Sequence, residues 1–352
     1  MINKGPVSKK MFREHCSNGE PFIIAEVGQN HQGDLGLARK YIRVFSLEGA
    51  DAIKFQTRNN KYLFSRDAYD APYNSENAFA PTYGAHRENL ELRAEWLPIL
   101  KNDCDQYGVK FMSTPFDEPS LDLLASVNVD ILKVASFDVG NLPFLHRIAN
   151  LKKPVVMSVG GGKINQIRSS VDVLLNSHDD VALLHCVSEY PCGFDKLGLN
   201  NIEALRREFP HITIGSSDHF NGILSGPVAY LKGACVFEKH VTLNRASRGT
   251  DHSFALEPDG FRKFVRDIKR VRHMLPPKPD SDLGKEKVFK KLGKSLTAFK
   301  DIKAGQEINL DCLSGRIFSD QYIPVRESSH VIGRKAKRDI SQGEPIHYSD
   351  ID

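Results

Sequence analysis

Length, composition and charge set the first limits on this chain of 352 residues. Its apolar share of 40% and charged share of 26% are those of an ordinary globular protein, and no stretch approaches the ~20 apolar residues of a membrane span. The net charge of +4 is mild, which argues against nucleic acid as a partner but suits a small anionic substrate.

Eight short apolar runs recur along the chain, and longer amphipathic stretches such as 35–49 and 199–208 lie between them. Nearly continuous runs of Val, Ile, Leu and Phe are typical of strands that are buried on both faces. Eight strand–helix repeats predict an α/β fold, the (β/α)8 TIM barrel, whose active site lies at the carboxyl ends of the strands. The predicted strands span residues 22–28, 52–57, 110–116, 131–136, 154–160, 181–187, 213–218 and 236–242.

The segment after the second predicted strand, residues 58–90, is unusually long for a barrel loop. Loops of this length inside a compact domain are often lids or binding loops, although a solvated insertion is an alternative. Its aromatic and basic residues could close over a polar ligand, with or without a phosphate group. They are Tyr62, Tyr69, Tyr73, Tyr83, His86 and Arg87.

The composition changes after a predicted final helix at 258–274. A stretch rich in Pro, Asp and Lys follows, and two near-copies of one motif lie beyond it, at 300–313 and 338–351. Each copy reads as a strand, a turn containing Gly and a second short strand. We therefore predict a barrel domain over 1–275, a linker over 276–290 and a small β-rich domain over 291–352.

The six cysteines include no CxxC pair and no spacing typical of a disulfide framework. This pattern predicts free thiols in a reducing compartment. The amino-terminal residues include no apolar segment of the kind found in signal peptides. We expect a cytoplasmic protein.

Lys54 and Lys133 each lie on a predicted barrel strand, where a buried ammonium group requires an anionic partner. Such lysines either form Schiff bases or bind anions as point charges. The hydroxyl groups of Ser136, Ser158 and Ser217 and the glycines at 160–162 favour a phosphate or carboxylate ligand.

His219 and His240 follow the seventh and eighth strands, which are neighbours in a barrel. Two imidazole groups that reach one point suit a divalent cation whose other ligands are water or substrate oxygens. Glu26 on the first strand lies beside strand eight and could act as a general acid or base. The alternative is that both histidines are ordinary polar loop residues.

These residues stand in motifs that resemble the sialic acid synthase family, in the family's order and over essentially the whole chain. The motifs are AEVGQNHQGDLGLA (25–38), DAIKFQT (51–57), STPFD (113–117), KVASFD (133–138), SSDHF (216–220), EKHVTL (238–243), RGTDHSFALEP (248–258) and KLGKSL (291–296). The resemblance implies a metal-dependent condensation of phosphoenolpyruvate with N-acetylmannosamine or its 6-phosphate. The products are N-acetylneuraminate, or its 9-phosphate, and phosphate released by C–O cleavage. The small C-terminal domain resembles the family's antifreeze-like (SAF) domain.

The resemblance also implies residue roles. The phosphoenolpyruvate pocket corresponds to Lys54, Thr114, Lys133, Ser136, Ser158 and Ser217. The sugar and the reacting carbons correspond to Glu26, Gln56, Tyr190 and Asp251. His219 and His240 correspond to the ligands of a Mn²⁺ ion, with Mg²⁺ and Co²⁺ as alternatives.

Two further positions follow from the resemblance. Asp138 stands where many bacterial members have Glu, so it either moves a proton or orients Lys133. Arg316 is the candidate arginine that the C-terminal domain offers to the sugar of a partner subunit, in a domain-swapped homodimer.

Three alternatives stay open at this stage. The first is a related synthase that makes a legionaminate, pseudaminate or ketodeoxynononate. The second is a Schiff-base aldolase. The third is a non-catalytic carbohydrate-binding protein, which would need none of Glu26, His219 and His240.

Overall fold

A closed barrel of eight parallel strands forms the larger part of the computed structural model, which describes residues 11–352. The strands are β1 (Phe22–Gly28), β2 (Ala52–Thr57), β3 (Lys110–Pro115), β4 (Ile131–Val134), β5 (Val155–Ser158), β6 (Val181–Cys186), β7 (Thr213–Asp218) and β8 (Val236–His240). Strands pair in chain order, and β1 closes on β8 with Glu26 opposite His240. The predicted TIM barrel is confirmed. β4 ends earlier than predicted because the chain enters a 3-10 turn at Ser136–Asp138.

Helices alternate with these strands. In the described residues they are α1 (Met11–Cys16), α2 (Leu35–Leu47), α3 (Asn60–Leu63), α4 (Arg66–Asp70), α5 (Tyr83–Glu88), α6 (Leu97–Gln106), α7 (Glu118–Ser126), α8 (Leu142–Asn150), α9 (Ile164–Leu175), α10 (Asn201–Glu208), α11 (Ser225–Leu231), α12 (Pro258–Met274) and α13 (Lys287–Leu292). Capping side chains begin several of them: the Asp34 carboxylate accepts from Leu37 N at 2.6 Å, and Asp117 accepts from Ser120 N at 2.8 Å. The long segment 58–90 contains α3, α4 and α5.

The barrel interior changes from apolar to polar along the strands. Its lower part is a buried apolar cluster that includes Ile24, Ala52, Ile131 and Val236. Side chains two residues further along a strand point the same way, so the residues above this cluster also face inward. They are Glu26, Lys54, Lys133 and Glu238, all buried. Strand periodicity therefore places a charged layer at the carboxyl end of the barrel.

A disulfide joins Cys16, at the end of α1, to Cys235, next to β8; the two Cα atoms are 6.1 Å apart. The expectation that all six cysteines are free is therefore wrong. The two residues are separated by 219 positions, so no local spacing motif could indicate the pair. Barrel closure brings them together. The remaining cysteines, Cys104, Cys186, Cys192 and Cys312, are free and buried.

The chain divides into two compact units, Met1–Leu275 and Pro276–Asp352. The segment that we predicted as a linker, 276–290, belongs to the second unit and contains a 3-10 turn at Asp280–Asp282 and the start of α13. A two-stranded antiparallel sheet follows, formed by β9 (Ser295–Ala298) and β10 (Leu313–Arg316).

The two near-copies in this unit pair with each other. Ile302 and Ile340 exchange backbone hydrogen bonds of 2.9 and 2.8 Å. The Asp339 carboxylate accepts from Ala304 N at 2.9 Å, and the equivalent Asp301 accepts from Gln342 N at 2.8 Å. The repeat seen in the sequence is therefore a pseudo-symmetric pair in the structure, and the isoleucines of both copies share one apolar core.

Candidate active site

A cavity of about 390 Å³ opens at the carboxyl ends of the barrel strands. Its walls combine strand residues with residues of the following loops. They are Glu26, Gln29, Lys54, Gln56, Arg58, Arg87, Thr114, Phe116, Lys133, Ala135, Ser136, Phe137, Ser158, Cys186, Tyr190, Ser217, His219, Glu238, His240, Thr250 and Asp251. Twelve of the fourteen site residues predicted from the sequence are in this set; Asp138 and Arg316 are the other two.

A larger cavity, of about 840 Å³, lies elsewhere on the barrel. Thr213 and Cys235, at the amino ends of β7 and β8, are in its wall, so it belongs to the opposite end of the barrel. Active sites of TIM-barrel enzymes lie at the carboxyl ends. The smaller cavity is therefore the candidate active site.

Two buried lysines and two buried glutamates form the floor of this cavity. Lys54 Nζ lies 2.9 Å from Glu26 Oε2 and 3.6 Å from Glu238 Oε2. Lys133 Nζ lies 4.0 Å from Glu238 Oε1 and donates to Ser158 Oγ at 2.7 Å. The anionic partners that buried lysines require are thus supplied by the protein itself.

Glu238 is the most deeply placed charged residue of the site that the sequence analysis did not single out; Gln29, Arg58 and Thr250 are further lining residues that it did not assign. Glu238 is buried between the two lysines, and Ser217 Oγ donates to its Oε1 at 2.9 Å. Burial opposes its ionised form, but Lys133 and Lys54 lower the pKa of Glu238 to about 2. The sequence did indicate this position. Glu238 is two residues before His240 on β8, so strand alternation puts both side chains on the inner face.

Glu26 differs from Glu238 in that its pKa is raised and not lowered. Burial raises the pKa of Glu26 to about 7, although Lys54 partly opposes the shift. Gln56 Nε2 donates to Glu26 Oε1 at 2.8 Å and fixes the carboxylate. A carboxyl group with a pKa near neutrality is suited to both accept and release a proton.

The two lysines also differ. Burial disfavours the charged form of Lys54, but Glu238 and Glu26 more than offset it and raise the pKa of Lys54. For Lys133, burial dominates and lowers the pKa despite the nearby Glu238. Lys54 is therefore the more firmly charged of the pair.

His219 and His240 face each other with ring centroids 5.2 Å apart. Burial lowers the pKa of both, so neutral imidazoles are favoured, as cation binding requires. His219 Nδ1 donates to the Val187 carbonyl at 2.8 Å, which leaves Nε2 as an acceptor. His240 Nδ1 is buried without a hydrogen bond among the described residues and lies 3.5 Å from Asp251 Oδ2.

This donor set fits a cation that is held by two imidazoles. Within residues 11–352 there is no cluster of three or more His, Cys, Asp or Glu side chains arranged for a metal ion. The remaining ligands of such a cation would therefore come from water or substrate. The Tyr190 ring, centred 4.0 Å from the His219 ring, covers the pair.

Some predicted residues lie outside the cavity wall. Asp138 Oδ1 accepts from Asn141 Nδ2 at 2.9 Å, and burial raises its pKa. Arg316 is exposed at the end of β10 in the second unit. The glycines at 160–162 are also absent from the wall.

Asp218 directly precedes His219, but its carboxylate pairs with Lys239. Asp218 Oδ2 lies 2.6 Å from Lys239 Nζ, and Phe220 N donates to Oδ1 at 2.8 Å. The ion pair is fully buried, with the Lys239 side chain 0% exposed. Asp218 therefore joins β7 to β8 and is absent from the cavity wall.

Residues 41–278 match the NeuB family. The chain belongs to this family. It is 32% identical over 326 residues to the human N-acetylneuraminate-9-phosphate synthase, covering 92% of this chain and 91% of the human protein. It is 35% identical over 291 residues to the N,N'-diacetyllegionaminic acid synthase of Campylobacter jejuni, covering 81% and 86% of the two chains.

A solved structure supports the same conclusion. The N-acetylneuraminic acid synthetase of Leptospira borgpetersenii superposes with a TM-score of 0.67 at 32% identity, over 75% of this chain and 90% of that one. These three relatives are thus synthases of sialic acid and of a related nonulosonic acid. No helix among the described residues is long and apolar enough to cross a membrane.

Proposed function

We propose that this protein condenses phosphoenolpyruvate with an N-acetylhexosamine, N-acetylmannosamine or its 6-phosphate, to give N-acetylneuraminate or its 9-phosphate and inorganic phosphate. The observation that carries the proposal is one cavity that contains two buried lysines, a glutamate with a pKa near 7 and two neutral imidazoles. Relatives named as N-acetylneuraminate-9-phosphate synthases support this choice of sugar.

Phosphoenolpyruvate enters as the anion that the lysines bind. Lys54 and Lys133 face its phosphate and carboxylate groups, and the hydroxyls of Thr114, Ser136 and Ser158 donate further hydrogen bonds. Glu26 and Glu238 hold the ammonium groups in place before the ligand arrives, so little reorganisation accompanies binding. Both substrates are then held in reactive geometry.

The reaction joins C3 of phosphoenolpyruvate to the aldehyde carbon of the open-chain sugar. Cationic character develops at C2, where a water molecule adds and loses a proton. Glu26 accepts this proton, because its raised pKa keeps the ionised form accessible and the conjugate acid stable near neutral pH. The tetrahedral C2 centre then expels phosphate by cleavage of its C–O bond, and the proton of its hydroxyl group passes to the leaving phosphate, which leaves the 2-keto acid. The proton taken up by Glu26 is balanced by protonation of the aldehyde oxygen, which becomes a hydroxyl group of the product.

A divalent cation, Mn²⁺ foremost and Mg²⁺ or Co²⁺ as alternatives, would be held by His219 and His240. When bound, it supplies a Lewis acid for the sugar aldehyde. Titration calorimetry with Mn²⁺ should show binding to the wild type and none to His219→Ala. Chelator should abolish phosphate release, and Mn²⁺ should restore it.

The sugar is identified by assaying phosphate release from phosphoenolpyruvate against a panel of hexoses. The panel contains N-acetylated, diacetylated and free sugars, each with and without a 6-phosphate. We expect the N-acetylmannosamine pair to be fastest. If a legionaminate or pseudaminate precursor is fastest, the sugar assignment is wrong and a related nonulosonate synthase replaces it.

One observation favours a second candidate, a Schiff-base aldolase. Burial lowers the pKa of Lys133, as a lysine nucleophile needs. Borohydride reduction in the presence of a 2-keto acid distinguishes the two functions. Our proposal predicts no covalent adduct on Lys133 or Lys54 by mass spectrometry.

A further inference from the structure

Arg87 enters the candidate active site from the segment 58–90. It belongs to α5 and is one of the residues that line the cavity. The group donates from Nη2 and Nε to Tyr83 Oη at 2.7 and 3.0 Å, and from Nη1 to Gln29 Oε1. All of these acceptors are neutral.

The other lysines and arginines of the cavity are balanced by carboxylates. Lys54 pairs with Glu26, and Lys133 lies 4.0 Å from Glu238. Arg58 Nη1 lies 3.2 Å from Glu91 Oε1, and its guanidinium stacks on Phe116 at 3.8 Å. Among the described residues, no carboxylate lies within 4.0 Å of the Arg87 guanidinium.

This difference matters because an arginine keeps its charge in any protein environment. Arg87 is partly buried, and Gln29 and Tyr83 fix its orientation without neutralising it. A guanidinium group in a cavity wall has five N–H donors in a planar arrangement, and those not used by Gln29 and Tyr83 are suited to binding a phosphate. Among the described lysines and arginines of the cavity, Arg87 thus differs from Lys54, Lys133 and Arg58 in having no carboxylate within 4.0 Å.

Arg87 also differs from Lys54 and Lys133 in its position in the fold. Lys54 and Lys133 project from β2 and β4 in the barrel interior, whereas Arg87 comes from a helix beyond the strand ends. A sugar whose aldehyde lies near Glu26 and the two imidazoles has its opposite end toward the cavity mouth. An anionic group at that end would meet Arg87.

We propose that Arg87 binds the phosphate of a 6-phosphorylated N-acetylhexosamine, so that the phosphorylated sugar is the preferred substrate. This inference rests on the proposed function. It selects the 6-phosphate from the two sugars named there.

Steady-state kinetics of the wild type, Arg87→Gln and Arg87→Lys test the proposal. The wild type should prefer the 6-phosphate to the free sugar. Arg87→Gln should lower kcat/KM for the 6-phosphate by about 10- to 100-fold, the loss of one charged hydrogen bond. The free sugar and the KM for phosphoenolpyruvate should change little. Arg87→Lys, which keeps the charge, should recover part of the preference.

Three results would overturn the inference: a wild-type preference for the free sugar, an equal loss for both sugars in Arg87→Gln, or an increase confined to the KM for phosphoenolpyruvate. Circular dichroism and the melting temperature verify that each variant is folded.

A binding measurement tests the Arg87 phosphate site independently of the proposed reaction. If no sugar releases phosphate, the wild type and Arg87→Gln are titrated calorimetrically with N-acetylmannosamine 6-phosphate and with the free sugar. Tighter binding of the 6-phosphate that disappears in Arg87→Gln would support the phosphate site even though the proposed reaction had failed. Equal binding of both sugars would overturn it.

Discussion

Charge compensation is the dominant property of the candidate site at the scale of single residues. Glu238 lies within 4.0 Å of both buried lysines and is held ionised by them. The sequence indicated that Lys54 and Lys133 needed anions but pointed only to the substrate as their source. The structure shows that protein carboxylates already balance the lysines, so a ligand binds to a network that is built in advance.

The first prediction concerns Lys133. Lys133→Met should raise the apparent constant for phosphoenolpyruvate by about 10- to 150-fold, because it removes one charged contact. The apparent constant for the sugar should change little. Lys232→Met is the matched control, since Lys232 pairs with Glu203 outside the cavity. The anion assignment is wrong if only the sugar constant moves.

At the scale of strands, the alternation of inward- and outward-facing side chains accounts for the positions of most site residues. Ile24 and Glu26 on β1, and Val236, Glu238 and His240 on β8, share the inner face. Side-chain direction repeats every two residues along a strand, and this period therefore predicts both the apolar cluster and the charged layer above it. Applied to every strand, it would have found Glu238 in the sequence.

The same alternation places Asp218 and Lys239, which are register partners on β7 and β8, away from the cavity. Each directly precedes one of the candidate cation ligands, His219 and His240. The buried ion pair therefore fixes the two strand ends relative to each other.

The second prediction concerns the stability of this pair. Lys239→Met should lower the free energy of unfolding by about 3–5 kcal/mol, because Asp218 becomes an uncompensated buried charge. The double variant Lys239→Met with Asp218→Asn should regain much of the loss. Urea unfolding measures both.

Lys263→Met is the control for that experiment, since its pair with Asp259 is exposed and should contribute under ~1 kcal/mol. A loss for Lys239→Met no larger than that for the control would show that Asp218 does not become an uncompensated buried charge, which contradicts the prediction.

At the scale of the whole molecule, the sequence predicted the barrel and the C-terminal repeat, because both arise from local patterns. The pairing of the two copies with each other was not predicted. The sequence could not predict the Cys16–Cys235 disulfide, whose residues meet only when the barrel closes. Nor could it separate Arg87 from the other polar residues of 58–90, since the missing carboxylate is a property of three-dimensional packing.

The third prediction concerns assembly. We expect a homodimer in which the C-terminal unit, which we propose to be an SAF domain, serves the partner's site through Arg316. Arg316→Ala and Glu26→Ala should each be inactive alone. A mixed dimer should recover one intact site, so its activity should rise toward half that of the wild type.

If the mixture stays inactive although mass spectrometry shows subunit exchange, the C-terminal unit acts within its own chain. If Arg316→Ala is active alone, the choice of this arginine is wrong.

The most direct test of the proposed reaction uses phosphoenolpyruvate that carries oxygen-18 at the oxygen bridging C2 and phosphorus. The enzyme is supplied with this substrate and the best sugar of the panel, and mass spectrometry follows the label. Cleavage of the C–O bond predicts that the label leaves with inorganic phosphate, that the keto-acid product lacks it, and that phosphate release requires the sugar. Label retained in the organic product, or phosphate released equally fast without the sugar, would contradict the proposal.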